Sequence, residues 1–241
     1  MEETEDYSDI RLKSWCIHCG DSLSKVGWTE DHVPTKSLLQ KPRPHHLPVI
    51  KVCPACNNSF SKDEQYFVTF LSCVMAGSTD PEVQFIPSAA RALRSSPSLR
   101  AAIENARSVG PNREDASPTW SPDVARVHRV ILKNARGHAF FERGEPVTDA
   151  PVSIIAVPLS TLSEQVRVWF EREAVQGALA SWPEAGSRLM HHIATGHDML
   201  GGWIVVQPEL YRYSLEKEDG GLVVRSVIWN YLATEVRWMD T

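Results

Sequence analysis

Four of the five cysteines form two Cys-x-x-Cys pairs, Cys16 with Cys19 and Cys53 with Cys56. Each pair can place two thiolates on one tight turn, which suits two corners of a zinc tetrahedron. Together the pairs supply all four corners, so they predict a structural zinc site with no open coordination position. The zinc would clamp the two ends of the segment between the pairs. Unligated thiols or a redox role are the alternatives.

The segment between the pairs contains the sequence WTEDHVP, with a carboxylate at Asp31 and an imidazole at His32. A neutral imidazole can take a proton from water, and carboxylate oxygens are ligands that Mg²⁺ and Mn²⁺ prefer. Neighbouring residues of a strand point to opposite faces, so the two can serve one phosphate only where the strand ends or bends. Pro34 supplies such a break. The alternative is a polar turn that simply ends a strand.

Basic side chains surround this sequence, although the whole chain carries a net charge of −5. Between residues 33 and 62 there is no aspartate or glutamate. The basic residues there are Lys36, Lys41, Arg43, Lys51 and Lys62. Such a strip would attract a polyanion even on an acidic protein, so we expect these residues to bind nucleic acid. An ordinary solvated surface is the alternative.

The pattern along the chain predicts an α+β protein. A helix is expected from Ser61, where Ser61 to Glu64 fits a capping box, and Gly77 suits its end. Pro97 should interrupt the helical stretch that follows. The expected segments are a disordered acidic lead (1–13), a zinc-containing module (14–78), a helical and linker segment (79–121) and an α+β accessory domain (122–241).

The amino terminus and the hydropathy pattern bear on location. No stretch approaches the roughly 20 apolar residues that span a bilayer. The first nine residues, MEETEDYSD, are acidic where a secretory signal is basic and then apolar. We therefore expect a cytoplasmic protein.

The order of these motifs resembles the HNH endonucleases, which have the ββα-metal fold in a zinc-bound form. The motifs are CxxC, then EDHVP, then CPACNNSFSKDEQYF, and the resemblance covers about residues 15–70. It implies an N-terminal HNH module with a zinc bound by four cysteines, and a hydrolase that cuts DNA phosphodiester bonds. By position, it implies that Asp31 binds a catalytic divalent ion, that His32 is the general base, and that Asn57 is the second protein ligand.

The sequence departs from the family pattern at one position, and alternatives remain for the partner and the function. The middle asparagine of the family falls near His46, so either His46 braces the catalytic loop or the loop is held differently. The implied cofactors are a structural Zn²⁺ and a catalytic Mg²⁺ or Mn²⁺. The implied partner is DNA, with RNA and a homodimer through the C-terminal domain left open. Similar proteins are bacterial and often serve in phage defence. The alternatives are a zinc-stabilised nucleic-acid-binding module that does not cleave, and an interaction protein.

Overall fold

The computed structural model describes residues 1, 3, 7, 9–108, 118–172, 185–218 and 220–239. These residues form seven α-helices and ten strands, which confirms the predicted α+β class. The chain divides into two compact units. Unit 1 consists of residues 1–58 and 131–241, and unit 2 of residues 59–130.

The helices and strands are defined in chain order. The helices are α1 (Leu23–Val26), α2 (Pro54–Ala76), α3 (Pro87–Ser95), α4 (Pro97–Asn105), α5 (Val124–Arg143), α6 (Glu164–Glu171) and α7 (Arg188–Thr195). The strands are β1 (Thr29–His32), β2 (Val49–Val52), β3 (Arg107–Ser108), β4 (Thr119–Trp120), β5 (Ser153–Pro158), β6 (Met199–Leu200), β7 (Trp203–Gln207), β8 (Tyr211–Glu218), β9 (Gly221–Ile228) and β10 (Leu232–Met239). Because α2 and α5 each contribute residues to both units, the units do not coincide with the expected segments 14–78, 79–121 and 122–241.

In unit 1, β1 and β2 form an antiparallel hairpin in which Asp31 faces Ile50 and His32 faces Val49. A single residue, Cys53, separates β2 from α2. The buried side of the hairpin belongs to a small apolar cluster that also contains Cys16, Ile17, Leu23, Val33 and Phe140. The cysteine pairs therefore flank a hairpin that is packed on a core.

The rest of unit 1 is built on a six-stranded antiparallel sheet in the order β5-β10-β9-β8-β7-β6. Alternate residues of β8 face opposite sides. Tyr213 donates a hydrogen bond to Glu142 of α5, whereas Glu216 accepts one from Arg172, which follows α6. Helices therefore cover both faces, and this is why β9 is buried along its whole length. The C-terminal end of the chain consists mainly of strands, β7 to β10.

Unit 2 contains most of α2, the helices α3 and α4, the β3-β4 pair and the start of α5. Helix α3 ends at Ser95 and α4 begins at Pro97, so the predicted interruption is confirmed. Asp63 accepts hydrogen bonds from Arg126 Nε and Arg129 Nη1, each at 2.7 Å. These charge-assisted bonds join the start of α5 to α2 inside this unit.

The predicted start of α2 is wrong. The helix begins at Pro54, so the expected capping box at Ser61 lies inside it. Proline suits the first position of a helix, and the Cys53 Sγ accepts a hydrogen bond from the Cys56 backbone N–H at 3.3 Å, in the manner of an N-cap side chain. The predicted end is confirmed, since the helix stops at Ala76 and Gly77 has a φ of +64°.

Two further expectations fall partly outside the described residues. Of the expected disordered lead, residues 2, 4–6 and 8 lie outside them, and Ile10–Ser14 forms a 3-10 helix. Of the expected helical and linker segment (79–121), residues 109–117 lie outside them. Within the described part of the chain, no helix combines the length and apolar character needed to cross a membrane.

Candidate metal and catalytic site

The four paired cysteines come together, as their spacing predicted. The Sγ atoms of Cys16, Cys19, Cys53 and Cys56 all lie within 4.8 Å of one another. The Cys19 and Cys53 Sγ atoms are 3.7 Å apart. Four sulfurs at a Zn–S distance of about 2.3 Å lie about 3.8 Å from one another in a tetrahedron. The cluster can therefore hold a metal ion such as zinc.

The polypeptide around the cluster also suits thiolate ligands. The Cys53 backbone N–H donates to Cys16 Sγ at 3.4 Å, and the Cys56 N–H donates to Cys53 Sγ. Such bonds stabilise negative charge on sulfur. One pair precedes β1 and the other lies at the junction of β2 and α2. A metal in the cluster would therefore tie the open end of the hairpin to the first turn of α2.

Strand β1 sends Asp31 and His32 to opposite faces of the hairpin. Asp31 is buried, whereas His32 is half-buried and its neighbour Glu30 is exposed. The strand ends at His32, immediately before the Val33-Pro34 bond. The expected break is therefore present, but the two side chains leave the strand in different environments.

His32 has the electrostatic character of a neutral base. Partial burial lowers the pKa of its imidazole, and the nearby charge of Lys36 lowers it further. Both causes disfavour the protonated form. Within the described part of the chain the imidazole has no hydrogen-bond partner. It can therefore accept a proton from a water molecule or a substrate without first breaking a bond inside the protein.

Asn57 lies in the first turn of α2, close to the strand that carries the pair. Its Nδ2 donates a hydrogen bond to the backbone carbonyl of Glu30 at 3.4 Å. This bond fixes the orientation of the Asn57 amide group relative to Glu30, the residue that precedes Asp31. The structure thus places Asn57 next to β1.

The sequence did not predict the partner of Asp31. Lys133 of α5 donates from its Nζ to Asp31 Oδ1 at 2.8 Å, and only 2% of the lysine side chain and 8% of the aspartate side chain are exposed. A buried pair of this kind contains two charges that have given up most of their water. The only sequence signal for this pair is a lysine within an apolar helical stretch.

Helix α5 also holds the loop that follows His32. The Asn134 Oδ1 accepts hydrogen bonds from the Thr35 backbone N–H at 3.1 Å and from its hydroxyl at 3.2 Å. Gly137 packs directly on Val33, and the contact is so close that a Cβ at position 137 would lie only 2.6 Å from a Val33 methyl carbon. Further along, the Trp229 indole donates to the Leu38 carbonyl at 2.8 Å.

His46 lies in an exposed turn before β2. Within the described residues it has no hydrogen-bond partner, so its bracing role stays a prediction. Other contacts to the loop come from α5, from Trp229 and from Gln207, whose side chain bonds to the backbone of Gln40 and Pro42.

The expected nucleic-acid-binding residues are dispersed. Lys36, Lys41 and Lys51 are exposed on unit 1, and the Lys51 ammonium lies 4.1 Å from the ring centre of Trp28. Arg43 donates to the backbone carbonyl of Lys36. Lys62 is exposed on unit 2. Four of the five therefore belong to the unit that carries His32.

Comparison of the chain with protein-family models, with curated proteins and with solved structures gives no match.

Proposed function

We propose that this protein is a metal-dependent endonuclease of the HNH type that hydrolyses DNA phosphodiester bonds. One observation carries the proposal: a β-hairpin whose first strand ends at His32 is followed after one residue by helix α2, and four clustered cysteines lie where the hairpin meets the helix. In this proposal, β1, β2 and the start of α2 are a ββα-metal module with a structural zinc.

The chain's own groups have distinct roles in this proposal. His32 accepts a proton from the attacking water, and its lowered pKa keeps the imidazole neutral for that task. Asn57 and Asp31 offer oxygen atoms, the donors that hard divalent cations prefer. When bound there, Mg²⁺ or Mn²⁺ supplies Lewis-acid stabilisation of charge on the phosphate. The contact between Asn57 and Glu30 keeps this amide beside the strand.

Binding of DNA is assigned to the exposed basic side chains near the hairpin. Lys36 lies close enough to His32 to lower its pKa, so a phosphate held by Lys36 would be near the imidazole. Lys41, Arg43 and Lys51 belong to the same unit. Their contribution is electrostatic, so binding should weaken steeply with salt.

A second candidate is a zinc-stabilised nucleic-acid-binding module that does not cleave. The pair between Asp31 and Lys133 favours it, because the ammonium binds a carboxylate oxygen that a metal ion would use. In that case the buried pair is only part of the core, and the basic residues and zinc provide the function.

Cleavage of supercoiled plasmid DNA with Mg²⁺ or Mn²⁺ separates the two candidates. His32→Ala should reduce the rate at least about 100-fold, because general-base catalysis contributes about that much. Zinc content and thermal unfolding should stay at the wild-type values. His45→Ala, a change of an exposed histidine in the turn before β2, is the matched control and should cleave normally. Binding to DNA without any cleavage by the wild type would reject the nuclease and leave the second candidate.

A further inference from the structure

Helix α5 places a positive charge beside the proposed metal ligand. The Lys133 Nζ lies 2.8 Å from Asp31 Oδ1, and both side chains are almost fully buried. The same ammonium donates to the Thr35 hydroxyl at 3.4 Å. The carboxylate that the proposed function assigns to a divalent ion therefore already holds one cation, supplied by the chain itself.

A buried ammonium and carboxylate each depend on the other, because neither keeps its full shell of water. Without the lysine, Asp31 would lose a positive charge that lies 2.8 Å away, and a cation from solution would bind the carboxylate more strongly. With the lysine present, a divalent ion that approaches Asp31 meets a like charge at short range. Water is excluded there, so this repulsion is poorly screened.

We propose that Lys133 is a built-in counter-ion of Asp31 that competes with the divalent ion. It keeps the carboxylate buried and in place before a metal binds, and it weakens the affinity of the site for that metal. This inference rests on the proposed function, because it takes Asp31 as a metal ligand. Lys133 is a positioning residue, since it acts through Asp31.

The neighbouring contacts explain why the lysine is well placed for this role. The next residue, Asn134, accepts hydrogen bonds from Thr35, and these bonds hold the helix against the loop beside the pair. One turn further on, Gly137 lets α5 approach Val33 closely. The ammonium is thus carried by a helix that contacts the loop at two other points.

Titration of MnCl₂ into the zinc-loaded full-length protein, by calorimetry and without DNA, tests the proposal. Lys133→Met should bind Mn²⁺ at least about tenfold more tightly than the wild type, because the like charge is gone. Lys133→Gln keeps a hydrogen-bond donor and should show the same gain. Lys25→Met removes an exposed lysine of unit 1 and should leave the affinity unchanged.

Thermal unfolding of the same proteins provides the second readout. Without Mn²⁺, Lys133→Met should unfold at a lower temperature than the wild type, and added Mn²⁺ should restore much of the loss. The double variant Asp31→Asn with Lys133→Met should recover stability without Mn²⁺ and should not respond to the ion. If neither single variant folds, recovery in the double variant still supports the counter-ion role, and failure to recover overturns it.

The outcomes distinguish this inference from the proposed function. If the wild type cleaves DNA but the Lys133 variants bind Mn²⁺ no more tightly than Lys25→Met, the inference is overturned and the nuclease stands. If the wild type binds Mn²⁺ through Asp31 and the variants bind it more tightly, but DNA is not cut, the inference stands and the nuclease is rejected. If the wild type does not cut DNA, and neither it nor the Lys133 variants bind Mn²⁺, both are rejected.

Discussion

Replacing Gly137 by alanine should destabilise unit 1, although alanine normally stabilises a helix. Gly137 lies inside α5, where alanine is favoured over glycine by about 1 kcal/mol. A Cβ at this position would lie 2.6 Å and 3.0 Å from the two methyl carbons of Val33. Ordinary contacts between carbon atoms are about 3.5–4.0 Å. The new methyl group must therefore displace the valine or the helix.

The surroundings allow little relief. Val33 is 1% exposed and belongs to the apolar cluster under the hairpin, so its side chain has no empty space to enter. As a β-branched residue it has a stiff χ1, and the new Cβ is close to both of its methyl groups. Overpacking of a core costs about 1–3 kcal/mol, and a contact as close as 2.6 Å to a stiff side chain belongs in the upper part of that range, about 2–3 kcal/mol. The helical gain offsets about 1 kcal/mol of this. The expected net loss is about 1–2 kcal/mol in the free energy of unfolding.

Urea and thermal unfolding followed by circular dichroism measure this loss. The unfolding temperature should fall by about 2–4 °C for each kcal/mol in a chain of this size. Val33→Ala removes both methyl groups, so the double variant should be more stable than the sum of the single changes predicts. An unfolding temperature for Gly137→Ala equal to or above that of the wild type would refute the close approach of α5 to the loop.

Two further predictions concern the cysteine cluster and the buried core. The wild type should contain about one zinc ion per chain by atomic absorption. Cys53→Ser should lose this zinc and unfold at a lower temperature, whereas Cys73→Ser, which lies outside the cluster, should keep the zinc; equal zinc content in both variants would contradict the assignment. Complete burial lowers the pKa of His138 well below 6.5, so below about pH 6.5 the unfolded chain binds a proton that the folded chain does not. Stability should therefore fall with acidification, by up to about 1.4 kcal/mol per pH unit, and His138→Gln should lack this component in urea unfolding measured between about pH 7 and pH 5.

Local patterns were sufficient for several parts of the structure. The two CxxC turns predicted a four-sulfur cluster, because the geometry of each pair is set within a few residues. The break between α3 and α4 followed from Pro97, and the end of α2 from Gly77. The predicted start of α2 was wrong. The capping pattern at Ser61 lies inside the helix, which begins at Pro54 and has Cys53 in the position of the N-cap.

The sequence by itself determined the cysteine cluster, the α+β class and the position of His32 at the end of a strand, because these depend on short-range spacing and turn chemistry. Only the tertiary structure decided what surrounds Asp31. The lysine that pairs with it lies 102 residues away along the chain. Such a contact depends on which face of α5 packs against the loop after β1. Gly137 permits that close packing on Val33, but the two residues are far apart in the sequence, so no local pattern predicts the contact.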